Sequence, residues 1–202
     1  AGVFSLEDGA RLVARRGALM SALPAGGTMA AVFAGTEVVS AALAKVNAGV
    51  TGAGVSLAAE SGTHRVVSGP AALVEAVAAA LTQEGVRCQR LTVSHAFHSA
   101  LLDPMLDGLE AAAGEIVHQP AAVPLIGNLS GTVFAAGEAP DGGYWRRHAR
   151  EPVQFAAGVS ALAGLGIDAL LEVGPRSVLG PLALGCWPRE DGAGAGPVVV
   201  AS

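Results

Sequence analysis

The chain has 202 residues, of which 51% are hydrophobic and 14% charged, with a formal net charge of -5; that is enough apolar sequence for one substantial domain or two small ones. No block of Lys or Arg is present to neutralise a run of phosphates, which argues against a nucleic-acid partner. Every apolar run is interrupted by a charge or a Pro-Gly pair before it reaches the ~18 residues of a membrane span, so no membrane association is expected. Aromatic residues are 4% against 28 glycines, so the core must be Ala, Val and Leu, with helices laid closely on sheets. Two cysteines, Cys88 and Cys186, lie far apart without a CxxC pair, and the N-terminus lacks a signal peptide; a reduced, cytoplasmic setting is expected. The opening at Ala1-Gly2-Val3-Phe4 reads as cut from something longer.

In chain order, Ser5 offers a capping hydroxyl with Asp8 three residues on, and apolar positions recur at Leu12, Val13, Leu19 and Met20. This predicts a helix of about four turns carrying Arg11, Arg15 and Arg16, broken by Pro24 and a Gly pair. Strands then follow at Met29 to Phe33, Val55 to Ala59, Arg65 to Ser68 and Arg87 to Val93, with helices at Glu37 to Val46 and Ala71 to Glu84. Their order, βαββαβ, predicts a ferredoxin-like subdomain over residues 28–93.

Asp103 to Ile116 reads as an amphipathic helix with Met105, Leu109, Ala112 and Ile116 on one face, Asp103 as its cap and Pro104 in the first position. Val123 to Gly127 reads as a buried strand, Asn128 to Gly131 as a turn and Val133 to Gly143 as a loop. Tyr144 to Arg150 and Val153 to Leu162 form a helix broken at Pro152. Ala169 to Val173 is a strand, Ser177 to Leu184 a helix, Pro188 to Gly196 a mobile loop, and Val198 to Ala201 a last strand.

The residues with most chemistry are Val93-Ser94-His95-Ala96-Phe97-His98-Ser99, at a strand-to-helix junction where functional groups tend to sit. His95 and His98 are three apart, but no third ligand is placed to complete a metal site, so none is expected. On the residues alone, His98 stands equally well as a packed histidine and as a catalytic one.

The run VSHAFHSALLDPML from Val93, NLSG at Asn128 to Gly131, YWRRHAREPVQF at Tyr144 to Phe155 and EVGPRSVL at Glu172 to Leu179 resemble, in order and spacing, the acyltransferase domains of modular type I polyketide synthases. The opening AGVFSLEDGARLVARRGALM belongs to the same pattern. The resemblance implies an α/β fold in two parts. Residues 1–27 and 94–202 would form a partial α/β-hydrolase-like large subdomain, a parallel sheet with helices, and residues 28–93 would be the inserted ferredoxin-like small subdomain. Part of that parallel sheet would come from outside these residues, leaving apolar strand edges exposed.

In that family a serine in a GHSxGE elbow attacks an acyl-coenzyme A thioester, a histidine is general base and an arginine binds the malonyl carboxylate. The acyl group then passes to the phosphopantetheine of an acyl carrier protein. Carried over, His98 is the base and Arg16 the carboxylate ligand; Arg15, about 100 degrees round the helix, cannot share that role. The carbonyl of His148 would orient the base, with its side chain a bystander or, less favoured, an alternative base. The HAFH string, with His95 and Phe97 beside the substrate's α-carbon, resembles the pattern for malonyl rather than methylmalonyl units, for which YASH is usual.

No GHSxGE string occurs in the chain, so it holds no nucleophile; the elbow is expected just upstream of the position matching Ala1. Gly54-Val55-Ser56 and Gly158-Val159-Ser160 lack the closing glycine of an elbow, and Glu60-Ser61-Gly62 stands where relatives carry an asparagine before the glycine. The resemblance implies no bound cofactor, malonyl-coenzyme A as donor, and as partners an acyl carrier protein, other synthase domains and the N-terminal segment as a separate chain. The competing reading is an inactive, truncated acyltransferase serving as a structural or docking element. A free-standing ferredoxin-like module would explain only residues 28–93.

Overall fold

The computed structural model describes residues 1–188 and 196–201. Helix α1 (Leu6–Ser21) begins as expected, with the Ser5 hydroxyl accepting from Asp8 N at 3.1 Å. Next come β1 (Gly27–Val32), α2 (Thr36–Asn47), β2 (Ser56–Glu60), β3 (Arg65–Pro70), α3 (Ala71–Gln83) and β4 (Cys88–Arg90). Their strands form one antiparallel sheet in the order β2-β3-β1-β4.

Period-two alternation divides the two faces of this sheet. Ala30, Val32 and Val67 point to α2 and α3, where they meet Val39, Ala42, Val74, Val77 and Leu81. Met29, Ala58 and Val66 point the other way and are covered by Leu91, Val93 and Phe97. That second face explains why β4 stops at Arg90 rather than Val93. After Leu91 N bonds Met29 O at 2.9 Å the chain leaves the ladder and folds over the open face, where burying Leu91, Val93 and Phe97 outweighs further edge pairing.

A short helical turn, Ala100–Leu102, leads into α4 (Asp103–Gly114). Ser99 caps that turn, and Asp103 lies inside the first turn of α4 rather than capping it. Its carboxylate instead accepts from Arg150 Nε at 2.7 Å. Helix α5 (Gly142–Arg150), capped by Asp141, packs on α4 and α1 through Leu12, Leu102, Met105, Leu109, Ala113 and Ala149. Arg146 on α5 bonds Asp107 and Glu110 on α4, the latter at 3.0 Å.

The strand expected at Val123 to Gly127 shrinks to β5 (Ile126–Gly127), paired antiparallel with β6 (Thr132–Val133). Pro124 removes a donor from the segment, which shortens any ladder there. Beyond the break at Pro152 come α6 (Phe155–Gly164), β7 (Ala169–Glu172), α7 (Leu179–Cys186) and β8 (Val198–Ala201). Among the described residues the parallel sheet is β7 with β8 alone; Leu171, Val198 and Val200 on it stay exposed, as does Val173 just after β7. The loop expected from Pro188 to Gly196 lies, for residues 189–195, outside the described residues.

The segment around Pro152 joins the two parts of the molecule. Val153 N donates to Ala58 O at 2.8 Å and Glu60 N to Val153 O at 2.9 Å, so Val153 runs parallel to the edge of β2. This contact fixes where the C-terminal end of α5 meets the small sheet, and the candidate site is built at that meeting point.

Candidate active site

His98 sits between β4 and the turn at Ala100, with φ 58, in the left-handed region that side-chain-bearing residues rarely occupy. Its neighbours impose that conformation. Ala96 is buried close above Gly27, where an added Cβ would lie 2.7 Å from the Ala96 Cβ. The fully buried Ser99 donates to Ala96 O at 2.7 Å. With both sides held, the chain reverses at His98 and directs the imidazole to the end of α5.

There Nδ1 donates to the Glu151 carbonyl at 2.9 Å. That carbonyl is available because α5 ends at Arg150; Glu151 is its C-cap in extended conformation, and Pro152 follows. The oriented bond therefore falls three residues beyond the His148 carbonyl expected from the resemblance. The His148 carbonyl acts in the same sense but more weakly. With the proton on Nδ1, the Nε2 lone pair has no hydrogen-bond partner among the described residues. Burial lowers the His98 pKa; the Glu151 carbonyl opposes this, and the Arg16 charge adds to it. The ring is thus mostly neutral at pH 7, the state in which an imidazole can accept a proton.

Arg16 is half-buried on α1, and burial lowers its pKa. Among the described residues it has no hydrogen bond and no ion pair, while its charge acts on both His98 and His148. Arg15 is exposed and lines a separate groove with Arg11 and Gly108. Arg16 lines a cavity of about 200 Å³ with Phe4, Gly9, Leu12, Val13, Leu109 and Trp145.

Phe97 packs on the open face of the small sheet, and His95 lies edge-on to it at 6.3 Å with Nδ1 3.1 Å from Ser94 Oγ. The structure thus brings His98, Arg16 and His148 together, with Phe97 and His95 on the small-sheet side. Among the described residues no hydrogen bond or ring contact links His95 to His98. No serine hydroxyl bonds His98 among them either. Ser56 belongs to β2, and Ser160 on α6 donates to Ala156 O at 3.1 Å, so both are ordinary packed elements. Nor is any cluster of three His, Cys, Asp or Glu side chains placed among the described residues to hold a metal ion.

Residue-by-residue reading missed Asn128, Tyr144 and the Glu151 carbonyl. Tyr144 and His148 are four apart on α5, which puts them on one helix face and was a usable signal. Asn128 stands in the NLSG motif, but nothing local ties its side chain to His148; only the tertiary fold brings the two together.

The family described as acyl transferase domain matches residues 1–183. The chain belongs to it. It is 46% identical over 202 residues to the polyketide synthase GfsA of Streptomyces halstedii, covering all of this chain and 3% of that protein. Among solved structures it resembles the acyltransferase domain from the second module of the salinomycin polyketide synthase, with TM-score 0.87 and 40% identity, over 99% of this chain and 45% of that one. The malonyl-CoA-acyl carrier protein transacylase of Clostridium perfringens shares the fold, with TM-score 0.87 and 23% identity. It covers all of this chain and 61% of that protein. The acyltransferase chain thus spans a small part of the synthase and about half of the solved domain. Among its described residues, no helix is long and apolar enough to cross a membrane.

Proposed function

We propose that this acyltransferase chain carries the base and the carboxylate-binding side of a site that moves a malonyl unit from coenzyme A to the phosphopantetheine thiol of an acyl carrier protein. The observation that carries the reading is Arg16: a half-buried guanidinium without an anionic partner among the described residues, acting electrostatically on His98. Holding such a charge unpaired is unfavourable unless a ligand supplies the anion, and a malonyl carboxylate fits its planar fork with two parallel hydrogen bonds.

In the first half-reaction His98 Nε2 takes the proton of a serine hydroxyl as its oxygen attacks the thioester carbonyl. The C–S bond breaks, and the coenzyme A thiolate takes the proton back from the imidazole. In the second, the carrier thiol gives its proton to His98 while attacking the acyl-serine ester, and the serine oxygen recovers it. The serine is not among this chain's residues, so the reaction requires a GHSxGE elbow beside His98. Phe97, bulkier than the serine of YASH, favours malonyl over methylmalonyl by narrowing the space at the α-carbon, a discrimination limited to about 1–3 kcal/mol.

The test uses a protein in which a GHSxGE segment precedes this chain, incubated with malonyl-coenzyme A and read by intact mass. A malonyl adduct is expected, abolished by His98→Ala and selectively weakened for malonyl over acetyl donors by Arg16→Ala. No adduct sinks the reading. An undiminished rate in His98→Ala removes the base, and an unchanged malonyl preference in Arg16→Ala removes the clamp.

A further inference from the structure

The His148 ring lies at the centre of a packed aromatic group. Tyr144, one helical turn earlier on α5, stacks on it at 5.8 Å with planes 11° apart. Trp145 meets it edge-on at 5.8 Å and 86°, and the His98 ring meets it edge-on at 6.0 Å and 84°. Its Nε2 is 3.3 Å from Asn128 Nδ2. Asn128 is itself held at both main-chain groups: its N–H donates to the Tyr144 hydroxyl at 3.2 Å, and its carbonyl accepts from Gln154 N at 2.8 Å.

We propose that the His148 side chain is a positioning residue: anchored by Asn128 and stacked on Tyr144, it is the rigid wall that keeps the His98 imidazole on the Glu151 carbonyl with Nε2 free. The packing leaves His148 little else to do. Nε2 accepts from the Asn128 amide and Nδ1 is buried without a partner among the described residues, so the ring presents no lone pair to a substrate. It is also uncharged: burial pushes its pKa down to about 4, and the charges of His98 and Arg16 act in the same direction. Among the described residues, these two charges and the stacked Tyr144 phenol are the titratable or charged groups that act on or stack against it. An uncharged wall supports the base sterically without lowering its basicity further.

The proposal rests on His98 as the base, but its test needs no acyl transfer, so either can fail while the other stands. In the 15N-labelled chain, long-range imidazole spectra report which nitrogen of neutral His98 holds the proton and how fast that proton exchanges. The wild type should show one tautomer, protonated on Nδ1. His148→Ala should show a mixture with the Nε2-protonated form and roughly tenfold faster exchange, through readier local opening. His148→Phe, which keeps a ring between Tyr144 and His98, should recover most of the wild-type signal. Asn128→Ala removes only the anchor and should give an intermediate mixture, which also decides the matter if His148→Ala fails to fold. An unchanged His98 tautomer and exchange rate in Asn128→Ala and in any folded His148→Ala overturns the proposal, even if those variants melt earlier.

Discussion

Replacing His98 by glycine should leave a more stable protein than replacing it by alanine, the reverse of the usual order. Both variants lose the bond from Nδ1 to the Glu151 carbonyl, worth about 1 kcal/mol net, and strand that carbonyl equally. They differ in the backbone. At φ 58 an alanine keeps the clash between Cβ and its own carbonyl, whereas glycine does not. The left-handed conformation costs a side-chain-bearing residue ~1–2 kcal/mol, from which glycine's greater freedom in the unfolded chain subtracts part, leaving about 1 kcal/mol in its favour. In a domain of this size that corresponds to roughly 2–4 °C in Tm. Urea unfolding followed by far-UV circular dichroism, with equal slopes for the two variants, measures the difference. If alanine equals or exceeds glycine, the strain at His98 is not real, and neither is its enforcement by Ala96 and Ser99.

Three further outcomes follow from the same structure. The His148 pKa is lowered from 6.5 to about 4 on folding, so the unfolded chain binds the extra proton first. Its contribution is therefore present above pH 6.5 and is lost as the pH falls toward 4; melting temperatures between pH 7 and 4 should decline less in His148→Asn, and parallel declines would exclude His148 as the source. Ser68 is fully buried, and its hydroxyl has no partner among the described residues, so Ser68→Ala should be neutral or stabilising by up to about 1 kcal/mol; a clear loss in urea midpoint would reveal a bond to that hydroxyl. Gly131 has φ 68, and a Cβ there would press on Ala157 and lie 2.9 Å from Gly158 N and 3.0 Å from Gln154 O. Gly131→Ala should cost about 2 kcal/mol or more by combining backbone strain with overpacking, and a melting temperature within 1–2 °C of wild type would contradict that packing.

What the sequence determined by itself is what local physics controls. The Ser5 cap of α1, the βαββαβ order and the helix break at Pro152 depend on hydroxyls, hydrophobic period and a missing donor within a few residues of one another. The motif resemblance singled out His98 and Arg16 as candidates, and the helical period separated Arg16 from Arg15. What remained for the tertiary structure lies between segments distant in sequence. The carbonyl that holds His98 belongs to a residue 53 positions away, brought there because Val153 pairs with β2. The early end of β4 and the positive φ of His98 follow from covering the second face of the small sheet. Neither leaves a trace in local pattern, since each reflects competition for buried area that exists only once the two parts have met. The His148 ring shows the same division. Its spacing from Tyr144 is written in the helix, but its contact with Asn128, and with the His98 ring it faces, is decided by packing alone.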